Sequence, residues 1–274
     1  MPTVKLPGGE TIWYKTTGGD GGSTAPFLHI HGSAFGHKNF ARLTPLMAEH
    51  FEVIDFDLPG YGESVGAGVR PGGMAGLAAL VGEFLAEAGY DRVNLHGTSF
   101  GAMIGLSLAA TQPERIDRLV LSCFLARYDL AARMMRKTWK RAAMDSGMEA
   151  VTDLTSVAGF ARGYYERAEA EAQFAEMYKA FAATRPEAFV AGTEIIEGTD
   201  LEPLLGQVKA QTLLLAGAED NMTPFNPAPS GCGFATIEKV IPGAELHVLE
   251  DCGHYLVLEQ PERATQLIVD FMAK

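Results

Sequence analysis

The sequence predicts a doubly wound, mostly parallel α/β domain, and three observations carry that expectation. Short runs rich in Val, Ile and Leu alternate with helical patterns; one long helix-only stretch interrupts the alternation; the alternation then resumes near the C-terminus. Runs that are apolar at nearly every position suit strands covered on both faces, as a parallel sheet between two helix layers requires.

Taken in order, ETIWYKTT (10–17) reads as an early strand and PFLHIHG (26–32) as a strand closing on glycine. A helical stretch at 40–50 leads into the strand FEVIDFDLPG (51–60). A helix at 74–88, the strand RVNLHGTS (92–99), a helix at 100–110 and the strand RLVLSCFL (118–125) follow. The pattern returns with QTLLLAGAED (211–220), AELHVLED (244–251) and an amphipathic helix over 261–272. Residues 127–198 offer no strand, only three or four helical patterns, one of them broken by Pro186. The expected organisation is therefore a core domain of 1–126 and 199–274, with a helical cap, 127–198, inserted after the sixth strand and folded over the strand ends.

Hydrophobic residues at 47% and charged residues at 20% of 274 suffice for a sizeable core and argue against disorder. A formal net charge of −12 argues against a nucleic-acid binder, which needs a basic face for phosphates, and favours a small-molecule substrate as partner. No apolar run reaches membrane-spanning length, so no membrane partner is expected. MPTVKLPGGE lacks the basic and apolar regions of a signal peptide, making the cytoplasm the expected location. Cys123, Cys232 and Cys252 are odd in number and form no C-x-x-C pair, so they read as buried thiols in a reducing compartment. Homo-oligomer formation is left open by these observations.

The chemistry centres on Gly97-Thr98-Ser99-Phe100-Gly101, at the junction of the strand 92–99 and the following helix. A G-x-S-x-G string alone is weak evidence; its position gives it weight. A sharp strand-to-helix turn needs glycines where two backbones meet, and it holds the serine in a strained conformation with the hydroxyl exposed. The N–H groups at the start of the helix favour negative charge beside that hydroxyl.

Serine needs a base, and of seven histidines His254 stands out, on a loop after the last strand in Asp251-Cys252-Gly253-His254-Tyr255. His247 lies within its strand and reads as structural. The imidazole in turn needs a carboxylate, and Asp220 in Gly217-Ala218-Glu219-Asp220 closes the strand before it. Glu219 and, after the sixth strand, Asp129 are the alternative acids. His29 and His31 share a strand face, but no Cys or carboxylate set joins them, so neither a metal nor a cofactor is expected.

The order Ser99, Asp220, His254 around this elbow resembles the α/β-hydrolase superfamily. His31-Gly32-Ser33-Ala34 resembles its H-G-x-x oxyanion loop, and Asp55-Phe56-Asp57-Leu58-Pro59-Gly60-Tyr61-Gly62-Glu63-Ser64 its D-x-D-x-P-G-x-G-x-S segment. The resemblance implies an α/β-hydrolase fold and an oxyanion hole from the backbone N–H groups of Phe100 and Ser33, with Ala34 as substitute for Ser33. It gives His31 and Asp57 the task of organising loops.

Within that family the leading expectation is hydrolysis of a carboxylic ester or lactone through an acyl-enzyme. Asp220-Asn221-Met222-Thr223-Pro224 and Cys252-Gly253-His254 are similar to segments of enol-lactonases and small esterases. Carbon–carbon bond hydrolysis of a ring-cleavage dienoate is the alternative. For that family Ala34-Phe35-Gly36 lacks a second proline-glycine, and Tyr255 stands where tryptophan is usual. Ser99 disfavours haloalkane dehalogenation, whereas a cofactor-free haloperoxidase would share the triad. A ligand receptor with little turnover is the reading from another class, since fold does not fix function.

In 127–147, Arg127, Arg133, Arg136, Lys137, Lys140 and Arg141 oppose Asp129 and Asp145, a local excess of four positive charges. A solvated helix face explains this; the sharper expectation is one arginine turned inward toward a substrate carboxylate. Cap aromatics and methionines such as Phe160, Tyr164, Met177 and Phe181 are expected to bury the cap, a few of them lining an apolar pocket.

Overall fold

The computed structural model describes residues 2–19, 25–64 and 72–274. Strands β1 (Thr3–Lys5), β2 (Thr11–Thr17), β3 (Phe27–Ile30), β4 (Val53–Phe56), β5 (Val93–Thr98), β6 (Ile116–Ser122), β7 (Gln211–Gly217) and β8 (Glu245–Leu249) form one sheet in the order β1-β2-β4-β3-β5-β6-β7-β8. β1 and β2 enter antiparallel; every pairing from β4 to β8 is parallel. This is the α/β-hydrolase fold, with the mostly parallel, doubly wound sheet that the apolar runs imply.

Successive strand residues feed opposite faces. Leu119, Leu121 and Leu214 join one apolar cluster with α2 (Gly73–Glu87) and α3 (Phe100–Thr111). Val120, Leu213 and Leu215 join a second with α1 (Thr44–Met47) and, late in the chain, α10 (Pro261–Met272). Between β6 and β7 the chain forms α4 (Leu130–Ser146), α5 (Met148–Gly159), α6 (Ala170–Ala182) and α7 (Pro186–Glu197), and Trp139, Val151, Tyr164, Met177 and Phe189 extend that second cluster beyond the strand ends. α8 (Phe234–Val240) and α9 (Leu256–Glu259) complete the helices named here.

Several boundaries differ from the sequence reading. The strand expected over 51–60 ends at Phe56, because the Tyr61 N–H turns back to the Leu58 carbonyl. The stretch at 40–50 splits into a 3-10 turn over Gly36–Phe40 and the short α1. Pro186 starts α7 within its first turn, where its missing N–H costs nothing. β1 and α8 carry too few periodic positions to announce themselves. No helix among the described residues is long and apolar enough to cross a membrane.

Because β3 lies between β4 and β5, the strand order reverses beside it, opening a crevice at the carboxyl ends of the strands. The loops after β3, β5, β7 and β8 all meet there.

Candidate active site

The elbow follows from close backbone approach. A Cβ at Gly97 would lie 2.4 Å from the Gly101 carbonyl oxygen, and one at Gly101 only 2.0 Å from that of Ile30. Between them Ser99 adopts φ 54°, ψ −115°, a strained conformation that costs about 1–3 kcal/mol and is tolerated where its surroundings over-determine it. Its N–H is fixed by the Ser122 carbonyl at 2.8 Å, and α3 begins at the next residue.

His254 Nε2 lies 3.1 Å from Ser99 Oγ, and His254 Nδ1 2.9 Å from Asp220 Oδ2. All three residues are buried. The structure thus brings the three sequence-selected residues into one hydrogen-bonded chain, with Nδ1–H donating to the carboxylate and Nε2 free to accept from serine. Burial works to raise the Asp220 pKa, but His254 and Thr223 outweigh it and hold the carboxyl below its ordinary value. Thr223 is a member the sequence reading missed: its hydroxyl donates to Asp220 Oδ2 at 2.7 Å and lies 3.0 Å from His254 Nδ1. The N–H groups of Met222 and Thr223 hold the other oxygen, each at 2.9 Å.

The alternative acids are engaged elsewhere. Glu219 accepts from the Arg162 N–H at 2.8 Å, and Asp129 caps α4 through the Ala132 N–H at 2.9 Å. His247 lies within β8. His29 pairs with Asp55 at 2.9 Å, and no group of potential metal ligands occurs among the described residues.

The loop after β3 is held rigidly. His31 Nδ1 donates to the Gly32 carbonyl at 2.8 Å while Nε2 accepts from the Leu58 N–H at 3.0 Å, which fixes the neutral tautomer; burial lowers its pKa to match. Asp57 accepts from the His37 ring and from the backbone N–H of His37 and Glu63, tying the loop to the segment after β4. Asn39, also unanticipated, accepts from the Gly32 N–H at 2.7 Å. Ser33 lines the cavity beside Ser99, whereas Ala34 turns away with φ 75° and its carbonyl accepts from Thr184. Among the described residues the backbone N–H groups of Ser33 and Phe100 donate to no protein acceptor.

The loop carrying His254 is fastened to the helical layer. Its N–H donates to the Gly159 carbonyl at 2.6 Å, and the Glu259 carboxylate bridges the N–H groups of Gly253 and Ala161 at 3.0 and 2.9 Å. The cavity between sheet and helices is narrow, about 30 Å³, against the roughly 300–1,000 Å³ of clefts that hold drug-sized ligands. That wall presents Arg136, Trp139, Phe181 and Phe189 to Ser99 and His254. Of these, the sequence reading named Arg136 among several basic residues and Phe181 among many aromatics.

The α/β hydrolase fold family profile matches residues 25–261. The chain belongs to that family. It is 27% identical over 269 residues to the 2-hydroxy-6-oxononadienedioate/2-hydroxy-6-oxononatrienedioate hydrolase of Klebsiella pneumoniae, covering 93% of this chain and 89% of that one. Among solved structures, the enol-lactonase of Burkholderia xenovorans superposes with a TM-score of 0.88 over the whole of both chains at 24% identity. A thermophilic esterase from Thermogutta terrifontis gives 0.84 at 23% identity, over 99% of this chain and 97% of its own. At these identities the structural matches speak for the fold.

Proposed function

We propose that this hydrolase-family protein cleaves a carboxylic ester or lactone of a small to medium, partly apolar substrate through an acyl-enzyme on Ser99. The observation that carries the reading is the buried Asp220–His254–Ser99 relay opening onto a cavity lined largely by apolar side chains. Ser99 Oγ attacks the carbonyl carbon as His254 Nε2 takes its proton. The oxyanion is held by the N–H groups of Phe100 and Ser33, where the N-terminal field of α3 adds to their donation. Collapse breaks the bond to the alkoxide, which leaves with the proton from His254. Water, deprotonated by the same imidazole, then attacks the acyl carbon and releases the acid and free Ser99. Asp220 holds the tautomer throughout and stabilises the imidazolium.

The test is turnover of an ester and lactone panel by the purified chain. Ser99→Ala should lose about 10⁴–10⁶-fold in kcat while keeping the fold, because the attacking atom is gone. Undiminished turnover in that variant contradicts the reading.

The relationship to the oxononadienedioate hydrolase, which extends over 93% of the chain, supports a second reading in which a carbon–carbon bond of a dienoate is cleaved by the same residues. Comparing kcat/KM for a dienoate and an enol-lactone separates the two.

A further inference from the structure

We infer that Arg136 is a built receptor for a carboxylate carried by the substrate, so that the pocket selects esters or lactones bearing a free acid; this rests on the reading of Ser99 as the hydrolytic nucleophile.

α4 is amphipathic, and its buried stripe runs Ala132, Arg136, Trp139, Ala143. An arginine in that stripe is out of place unless something compensates its charge. The other basic residues of the segment behave as surface groups. Arg127 pairs with Glu202 and Asp200, Lys140 pairs with Glu197 at 2.7 Å, and Arg133, Lys137 and Arg141 are exposed. Arg136 alone of the six is buried, at 3% exposure.

Its partners do not neutralise it. One terminal nitrogen donates to the Tyr128 hydroxyl at 2.7 Å, and the guanidinium lies 4.5 Å from the Tyr128 ring centroid and 5.4 Å from that of Trp139. These rings orient the plane and supply cation–π attraction. The buried Nε has no hydrogen-bond partner, and among the described residues no carboxylate lies within ion-pair distance of the group. A guanidinium offers five donors in a planar fork, the shape a carboxylate meets with two parallel hydrogen bonds. Buried charge is normally paired, so the missing anion is the ligand's.

The chemical class follows from what else lines the cavity. Arg136 faces the same space as Ser99 and His254, and around it stand Trp139, Phe181, Phe189 and Met222. No lysine or second arginine lines this cavity among the described residues, which suits a singly charged carboxylate better than a phosphate dianion. An acid group seated on Arg136 would pull the remainder of a short, apolar substrate between those rings and set its ester carbonyl toward Ser99.

The experiment compares p-nitrophenyl hemiglutarate with its methyl-capped diester, on wild type, Arg136→Met and Arg136→Lys. Wild type should favour the free acid by about 30-fold or more in kcat/KM, the scale of losing one partner of a buried charge pair. That preference should persist at high salt, because a buried pair is weakly screened. Arg136→Met should abolish it, bringing the ratio of the two kcat/KM values to about one; Arg136→Lys should keep part of it, as a point charge without the fork. Equal handling of both esters by wild type, or equal losses for both in Arg136→Met, would overturn the proposal and leave the hydrolase reading intact. Calorimetric titration with monomethyl glutarate and dimethyl glutarate, in a Ser99→Ala background that removes the attacking atom, reads the same site without turnover. Binding of the acid alone, lost in Arg136→Met, is the expected result, and no difference between the two ligands would overturn the proposal even for a chain that hydrolyses neither ester.

Discussion

The two walls of the pocket are built by different rules. The sheet wall holds Ser99, His254, Asp220 and the Ser33 loop on strand ends, where backbone clashes leave little freedom: Gly97, Gly101 and Gly217 each face a carbonyl oxygen or carbon closer than a Cβ could tolerate. The helical wall holds Arg136, Trp139, Phe181 and Phe189 on α4, α6 and α7, where the close approach of a Cβ at Gly192 would be to the Tyr61 side chain at 2.5 Å and not to backbone. On the proposed function, chemistry would reside on the sheet side and selectivity on the helical one. Changes to the sheet wall should lower turnover of every substrate together, and changes to the helical wall should alter ratios between substrates.

The strongest test of that division within the relay is Asp220→Asn. It should slow all esters alike by up to about 10⁴-fold with the fold intact, because the amide favours the wrong imidazole tautomer. Glu219→Gln should be mild beside it. A reversal of those two effects would move the acid to Glu219 and break the contrast at its centre.

A smaller uniform loss is expected from Thr223→Val. The hydroxyl bonded to the buried carboxylate helps orient Asp220 toward His254, so kcat should fall for every substrate, by less than in Asp220→Asn. A loss confined to one substrate would place Thr223 in recognition rather than in positioning.

Much of the sheet wall was legible in the sequence because its constraints are local. Gly97 and Gly101 bracket Ser99 within five residues, and the Asp220 and His254 loops each follow a recognisable apolar run. Thr223 and Asn39 escaped notice although their contacts with Asp220 and Gly32 are local, because no spacing marks a side chain that folds back onto its own loop. On the helical wall, the excess of positive charge drew attention to six basic residues without distinguishing Arg136. The signal was present, since Ala132, Arg136, Trp139 and Ala143 recur at helical spacing, and an arginine on such a stripe marks an inward charge. Trp139 and Phe189 carried no comparable mark, because most aromatics of these helices simply fill the core.

Phe189→Leu probes the helical wall. The ratio of kcat/KM between butyrate and acetate esters should change by about 10-fold, the usual scale for reshaping an apolar pocket. Equal changes for both esters would show that this wall contributes to the chemistry.

The smallest effect concerns the seam between the walls. Burial pushes the Glu259 carboxyl up to about 7, outweighing the N–H groups of Ala161 and Gly253 and the charge of Arg167, which pull it down. An unfolded glutamate titrates near 4.3, so between about pH 4.3 and 7 the folded chain keeps a proton that the unfolded chain has lost. The Glu259 contribution to stability therefore falls as pH rises through that window. Melting temperatures of wild type and Glu259→Gln, followed from about pH 5 to 7.5, should show wild type losing ground to the variant. Parallel curves would mean the bridge carries no such linkage.

The most direct test of Ser99 as the nucleophile is reaction with a fluorophosphonate probe, followed by digestion and mass mapping of the adduct. The expected result is one phosphonyl group on the peptide containing Ser99, absent from Ser99→Ala and formed much more slowly in Asp220→Asn. An adduct on any other serine, Ser33 included, or no adduct on the folded wild-type chain, would contradict it.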